Sequence, residues 1–377
     1  MNELSDFLTL GIRPELNQIL INNGYFHPTP IQEQSIPILL KEKDVIAQAQ
    51  TGTGKTLAFI LPMIQRVDTE KTRIQGLIIA PTRELAIQIT TEVKKLTDHV
   101  DEVNVLSVYG GQDVEAQIHK LKTAVHLVIG TPGRLLDHMR RGTIDLSQVS
   151  MLVLDEADQM LHMGFLTEVE AVIQATPINR QTLLFSATMP AQIQSLALNY
   201  MQDPEKIQIK TPQITLKEIR QRVVETTDRT KQSILCSIID QYRPYLAIIF
   251  CRTKRRVSKL NEALQGLGYD SDELHGDLSQ AKREDVMKRF REGQIQLLVA
   301  TDVAARGLDV EGVTHVFNYD IPHDVESYIH RIGRTGRAGE KGLALTLVSP
   351  KDKNYLEMIE KGIQLKIEKR KPPTRRH

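Results

Sequence analysis

Short aliphatic and β-branched runs recur along this chain, separated by helical patterns, and this alternation constrains the fold more than any other feature. In the first half the runs are Gly76–Ala80, Val103–Val108, His126–Gly130, Met151–Leu154 and Thr182–Phe185. In the second they are Leu246–Phe250, Gln296–Ala300, His315–Tyr319 and Leu343–Val348. Runs that stay apolar at successive positions belong to strands covered on both faces. Interleaved with helices, they predict parallel α/β sheets.

At 377 residues the chain is too long for one ordinary core and suits two domains. Between Asp203 and Glu218 no helical period is clear, and Pro204, Thr211 and Pro212 interrupt the stretch. We therefore expect a first lobe over 1–208, a linker over 209–217, a second lobe over 218–363 and a short basic tail over 364–377. A few extended residues, at about 3.3–3.6 Å each, let two lobes face each other across a cleft.

Composition narrows the class. Hydrophobic content of 41% and charged content of 25% are those of a soluble globular protein. No run approaches the roughly 18 apolar residues that span a membrane. The start, Met1 to Asp6, is acidic and has no cationic, apolar leader. Cys236 and Cys251 show no metal spacing and are read as reduced packing residues of a cytoplasmic protein. The histidines show no metal spacing either. A net charge of +1 excludes a grossly basic coat, so any polyanion must be held by local clusters and backbone donors. Lys366, Lys369, Arg370, Lys371, Arg375 and Arg376, around Pro372 and Pro373, read as a solvated tail with weak phosphate attraction as a second role.

Two motifs carry chemistry. Ala49, Gln50, Thr51, Gly52, Thr53, Gly54, Lys55 and Thr56 lie between a short strand at Asp44–Ala47 and a helix starting at Leu57. The strict phosphate-loop pattern has glycine where Ala49 stands, but the strand–loop–helix context is the one such a loop requires. Its glycines let backbone N–H groups wrap phosphate oxygens, Lys55 adds a point charge, and Thr56 offers a hydroxyl to Mg²⁺. Asp155-Glu156-Ala157-Asp158 follows the apolar run Met151–Leu154. Carboxylates at the end of a buried parallel strand sit where open α/β sheets bind ligands, and can complete a metal site and orient a water. The pair implies a site for hydrolysing a nucleoside triphosphate.

Further motifs, in a fixed order over roughly residues 7–340, resemble those of the DEAD-box ATP-dependent RNA helicases. Gly24 to Gln32 reads Gly-Tyr-Phe-His-Pro-Thr-Pro-Ile-Gln, similar to the family's Q motif, with Phe7 seventeen residues upstream. The resemblance implies that Gln32 bonds bidentately to an adenine edge and Tyr25 stacks on its ring, with Phe7 at the family's aromatic position. It also implies Lys55 on the β- and γ-phosphates, Thr56 and Asp155 on Mg²⁺ (partly through water), and Glu156 positioning the attacking water. Residues 328–337, Tyr-Ile-His-Arg-Ile-Gly-Arg-Thr-Gly-Arg, resemble motif VI and imply arginine fingers at Arg334 and Arg337. Val325, Tyr328, Ile329 and Ile332 have helix-face spacing, which leaves Arg331 and Arg334 facing outward. Asp309 resembles the ribose-contacting carboxylate, and Asp158, Ser186, Thr188, His330 and Arg331 the coupling residues.

RNA-contacting motifs are matched in both halves: Pro81, Thr82 and Arg83; Gly110 and Gly111; Thr131, Gly133 and Arg134; Arg252 and Thr253; Gln280 and Arg283; Thr301, Asp302 and Arg306. Their chemistry is phosphate and sugar recognition. With aromatics at 5% and no tryptophan, a backbone grip is expected rather than a stacking platform. The resemblance implies two RecA-like lobes closing over ATP and single-stranded RNA, in a monomer that opens short duplexes locally. Ribosome-assembly and RNA-decay proteins are the partner classes it suggests. An ATP-gated RNA clamp with little unwinding uses the same residues, and the sequence does not separate the two. A DNA translocase of the same superfamily is disfavoured by the Asp-Glu-Ala-Asp and Q motifs.

Overall fold

The computed structural model describes residues 6–49, 52–97, 103–209, 219–305, 310, 312–336 and 342–372. The chain divides into two compact units, Met1–Thr211 and Pro212–His377.

In the first unit, strands β1 (Val45–Gln48), β2 (Gly76–Ile79), β3 (Val105–Val108), β4 (Leu127–Gly130), β5 (Met151–Leu154), β6 (Gln181–Ser186) and β7 (Glu205–Gln208) form one sheet. Its order is β3-β4-β2-β5-β6-β1-β7, and every pair is parallel. Period-two alternation sends Ala47, Ile78, Ile129, Val153 and Phe185 to one core and Ile46, Leu77, Val128, Leu152 and Leu184 to the other. Both faces are covered by helices, which is why the strands read as unbroken apolar runs. Ile79, Gly130, Val108 and Leu154 lie in register across β2, β4, β3 and β5, so the motifs that follow these strands emerge along one edge.

The second unit repeats the plan with β8 (Ile219–Glu225), β9 (Leu246–Phe250), β10 (Ser271–Leu274), β11 (Leu297–Ala300), β12 (Val313–Asn318), β13 (Gly342–Val348) and β14 (Glu368–Arg370). Its order is β10-β11-β9-β12-β13-β8-β14, again all parallel. Helix Val325–Ile332 buries Tyr328 and Ile332 in the core and packs Val325 and Ile329 against it, the face its spacing predicted. Cys236 and Cys251 are buried and not joined in a disulfide. No helix among the described residues is long and apolar enough to cross a membrane.

Four strands escape the sequence reading. β10 is polar, with Ser271, Asp272 and Glu273 in its four residues. β7 falls in the stretch read as having no clear helical period, and its burial is confined to Ile207. β8 carries Arg220, Gln221 and Arg222 in its seven residues, which break the apolar signature. β14 corrects the reading of 364–377 as a solvated tail. Glu368, Lys369 and Arg370 pair with Arg222, Val223 and Val224. Ile363 and Ile367, both about 95% buried, anchor the approach. Lys369 Nζ lies 3.0 Å from Glu225, so part of the basic cluster is paired with acid. Most of the expected linker and the last five residues lie outside the described residues.

Candidate functional site

Unit 1 gathers its carboxylates, its buried ammonium and the loop glycines at the carboxyl ends of β1, β5 and β6. The Ala49 N–H donates to Ser186 O at 3.0 Å, continuing the strand ladder, so this position needs no glycine. Gly52 and Gly54 have φ of +83° and +91°. A Cβ on Gly54 would fall 2.6 Å from Gln32 Nε2, so both backbone and packing require glycine there. Gln50 and Thr51 lie outside the described residues. Lys55 opens helix Lys55–Arg66, is 6% exposed, and its Nζ has no hydrogen-bond partner among the described residues. A buried ammonium without hydrogen bonds is costly unless a ligand supplies them. Thr53 is half-buried, as is Thr56 one position into the helix.

Asp155 and Glu156 are buried beside it, 2% and 6% exposed. Burial pushes the Asp155 carboxyl up to about 6, against the pull of the Lys55 ammonium and with a further push from Glu156 and Asp158. Glu156 sits at φ +51°, ψ +51°, a left-handed conformation costing about 1–3 kcal/mol in a residue with a side chain. Its N–H donates to Asp155 Oδ1 at 3.0 Å. The donor set fits a Mg²⁺–phosphate group, since Mg²⁺ is commonly held by one or two carboxylates with substrate phosphates and water. Asp158 is tied to the end of β6. Thr188 N and Oγ1 donate to its Oδ2 at 2.9 and 3.0 Å, and its own N–H donates to Ser186 Oγ at 3.2 Å.

One expectation for the base needs correction. Phe7 is 1% exposed inside the hydrophobic core and has no open face for a base to stack on. Gln32 is tied to the protein by half of its amide, and the other half is the donor–acceptor pair that a bidentate bond uses. Its Oε1 accepts from Thr29 N at 2.8 Å and its Nε2 donates to Gly54 O at 2.9 Å, leaving one N–H and one lone pair. Tyr25 is half-buried against the core, and its hydroxyl donates to Glu92 Oε2 at 3.1 Å.

The neighbouring part of the same edge carries the other motifs. The order β3-β4-β2 puts Gly110–Gly111, Thr131–Arg134 and Pro81–Arg83 side by side. A Cβ on Gly110 would lie 3.0 Å from Arg83 Nη2, so the guanidinium packs on that glycine. Arg134 Nη2 donates to Gln112 O at 3.4 Å. Thr82 Oγ1 accepts from Leu85 N at 3.2 Å, fixing the start of helix Arg83–Thr97. Thr131 precedes helix Pro132–Arg140, and Gly133 is exposed on its first turn.

In unit 2 the arginines do not simply face outward. Arg331 is 3% exposed, with Nε and Nη2 donating to the two oxygens of Asp302 at 2.5 and 2.7 Å. Its Nη1 donates to Asn318 Oδ1 and Asp320 O at 3.2 and 2.6 Å, and its guanidinium lies over the Phe250 ring. The face opposite the helix's apolar stripe is turned over the strand ends, which a helical wheel does not reveal. Asp302, expected as an RNA contact, is paired inside the lobe. Its carboxylate accepts the Arg331 fork, so the two charges offset each other. Arg334 is 7% exposed, its Nε donates to His330 O at 3.3 Å, and it lines a recess with Phe250, Asp302, Ala305, Ser327, His330 and Arg331. Arg337, Asp309 and Arg306 lie outside the described residues.

Arg252 is exposed after β9, with its Nη2 donating to Ile321 O at 3.4 Å. Thr253 caps helix Lys254–Gly266 by accepting from Arg256 N. Gln280 and Arg283 occupy the first turn of helix Gln280–Arg291, where Gln280 Nε2 donates to Glu284 at 2.8 Å. Thr301 follows β11, its N–H donating to Leu274 O at 3.2 Å.

Residues 29–196 match the family model described as DEAD/DEAH box helicase, and residues 230–339 match the helicase conserved C-terminal domain. The chain is 51% identical over 371 residues to DEAD-box ATP-dependent RNA helicase CshA of Geobacillus kaustophilus, covering 98% of this chain and 79% of that protein. It is 50% identical over 371 residues to ATP-dependent RNA helicase CshA of Listeria monocytogenes, covering 98% and 71%. The chain belongs to the DEAD-box family of ATP-dependent RNA helicases. Among solved structures it is similar to Saccharomyces cerevisiae Dbp5 bound to RNA and ADP BeF3, with 32% identity, a TM-score of 0.89 and 97% and 96% of the two chains covered. It is also similar to Mss116p bound to ssRNA and AMP-PNP, with 31% identity, a TM-score of 0.89 and 99% and 81% covered. Each seven-stranded sheet is accordingly the core of a RecA-like lobe.

One residue of this DEAD-box chain's second lobe was missed by sequence reasoning. Asp320, 5% exposed at the end of β12, accepts from Arg256 Nε and Nη2 at 2.7 Å each, from Arg252 N at 3.0 Å and from Lys231 Nζ at 3.4 Å. Its signal was present: a carboxylate directly after an apolar strand, as with Asp155, here followed by Ile321 and Pro322.

Proposed function

We propose that this DEAD-box enzyme binds ATP with Mg²⁺ at the carboxyl edge of β1 and β5 and hydrolyses it when single-stranded RNA is bound. The observation that carries this reading is the buried Lys55 ammonium, without a hydrogen-bond partner among the described residues, beside the buried Asp155 and Glu156. Such a site is electrostatically complete only with a polyphosphate and a cation in it. Thr56 and Asp155 would hold Mg²⁺, and Lys55 the β- and γ-phosphates. When bound, Mg²⁺ neutralises charge on the phosphate oxygens. Glu156, fixed by its backbone, orients the attacking water. Arg334 and Arg337 supply charge to the γ-phosphate, worth about 10³–10⁵ in rate.

Arg83, Gly110, Gly111, Thr131, Gly133 and Arg134 of the first lobe grip the RNA backbone, with Arg252, Thr253, Gln280, Arg283, Thr301 and Arg306 of the second. ATP and RNA together drive lobe closure, the held strand is incompatible with a duplex, and hydrolysis releases it. Asp158, Ser186, Thr188, His330 and Arg331 couple the two events. Recognition through phosphates and sugars makes the enzyme sequence-tolerant, and it acts as a cytoplasmic monomer.

ATPase turnover measured with and without single-stranded RNA tests this. Stimulation by RNA, lost in Lys55→Ala and in Arg334→Ala, is the expected result. Equal turnover with and without RNA would refute it.

A further inference from the structure

Beneath the first lobe's RNA-type loops lies a buried polar chain that none of the motifs contains. Gln117, 3% exposed on helix Val114–Leu121, donates from Nε2 to the main-chain O of Tyr109 at 3.2 Å and to Gln112 Oε1 at 3.4 Å. Its Oε1 lies 2.9 Å from Nε2 of His138, which is 0% exposed on helix Pro132–Arg140. His138 Nδ1 lies 2.8 Å from Thr143 Oγ1.

The polarity of this chain is fixed from one end. A carbonyl oxygen only accepts, so the Gln117 NH₂ faces Tyr109 and its Oε1 faces His138. His138 Nε2 therefore carries the proton, and Nδ1 faces the Thr143 hydroxyl, which also lies 3.1 Å from the His138 main-chain O. Burial, and then the Arg134 charge, hold the imidazole below its ordinary pKa range and keep this neutral form. Apolar side chains of similar size would fill the space without the cost of burying an amide and an imidazole. What the polar pair adds is a fixed distance between its two ends. One end is the carbonyl immediately before Gly110–Gly111. The other is the helix that begins directly after Thr131 and carries Gly133 and Arg134.

We infer that Gln117 and His138 are positioning residues that set the spacing of the Gly110–Gly111 loop relative to the Thr131–Arg134 turn, and so the affinity for RNA phosphates. Two surface contacts run the same way. Arg134 reaches Gln112 O, and Arg83 packs on Gly110, so the three loops interlock above while the glutamine–histidine bond braces them below. The inference rests on the proposed RNA role of these loops.

The test uses the full chain, a short labelled single-stranded RNA and AMP-PNP. His138→Leu and Gln117→Leu are each expected to raise the RNA concentration for half-saturation about tenfold, the scale of one lost buried hydrogen bond. AMP-PNP affinity without RNA should be unchanged. His138→Gln places an amide N–H where His138 Nε2 was and should restore RNA affinity to within about twofold of the parent. Parent-like RNA affinity in a folded leucine variant overturns the inference. So does a parallel loss of RNA and AMP-PNP affinity, which marks general loosening. If the leucine variants do not fold, Gln117→Glu decides, because it keeps an acceptor for His138 but loses the donor to Tyr109: weakened RNA binding supports the inference and unchanged binding overturns it. Arg134→Ala separates the two levels of the argument. If it weakens RNA binding while the Gln117 and His138 variants do not, only the positioning role fails. If it too is without effect, the RNA reading of the loops fails with it.

Discussion

Glu156 illustrates how one residue's backbone prepares its chemistry. A left-handed glutamate is strained, and the strain persists because Asp155 accepts its N–H and the helix Ala157–His162 begins at once. Glu156→Gln keeps size and position but removes the charge proposed to orient water. It should retain ATP and RNA binding, stop turnover and accumulate the RNA–ATP complex, read by RNA anisotropy in ATP. Loss of RNA binding in this variant would count against the water-positioning role. Asp320 makes a different point. Burial alone would raise its carboxyl, but the Arg252 N–H, the Arg256 guanidinium and the Lys231 ammonium outweigh it and hold the group below its ordinary value of 3.8. The native state therefore binds fewer protons than the unfolded state near and below that pH, so the stabilisation is present above 3.8 and is lost as pH falls through the depressed value. Asp320→Asn should cost about 3 kcal/mol near neutrality by urea denaturation, since it leaves two cations without their counter-charge. The penalty should shrink in acid; a constant difference would show that charge is not the cause.

Among the elements, β14 was the least expected. Its residues are charged, and only the placement of Ile363 and Ile367 four positions apart, both buried, brings the segment back to β8. Ending the chain at Gln364 should remove the burial of Ile367, worth about 1.5–3 kcal/mol. The truncated protein should melt a few degrees lower. An unchanged melting temperature would mean the strand adds nothing to the second lobe. Helix Val325–Ile332 shows where periodicity stops being informative. Its apolar face was readable from the sequence, but the partners of Arg331 were not. Asp302 follows β11, Asn318 and the Asp320 carbonyl lie at the end of β12, Phe250 ends β9, and the sheet order β11-β9-β12 brings them together.

For the whole molecule, a net charge of +1 means that RNA is held by local groups rather than by a basic surface field. RNA affinity should fall steeply with salt, with a slope of about −0.7 per phosphate neutralised on a single strand, and vary little with base sequence. Strong discrimination among homopolymers at equal ionic strength would contradict a backbone grip. Arg334→Ala should leave ATP binding near normal while RNA-stimulated kcat falls by about 10³ or more, read by steady-state ATPase assays at saturating RNA. Comparable loss of ATP affinity would assign Arg334 to ground-state binding instead.

The two parallel sheets and most of their strands were legible in the sequence because burial on both faces leaves an unbroken apolar signature. The glycine–lysine loop and the three carboxylates of residues 155–158 were legible because glycine, lysine and acid at fixed spacing have few other uses. The destinations of individual polar groups were decided only in three dimensions. Phe7 went to the core, half of the Gln32 amide to the phosphate loop, Asp302 to Arg331, and Gln117 to a histidine twenty-one residues away. Hydrogen-bond partners in a parallel sheet protein come from strands joined by long crossovers. Their pairing follows from sheet order, which local pattern does not encode.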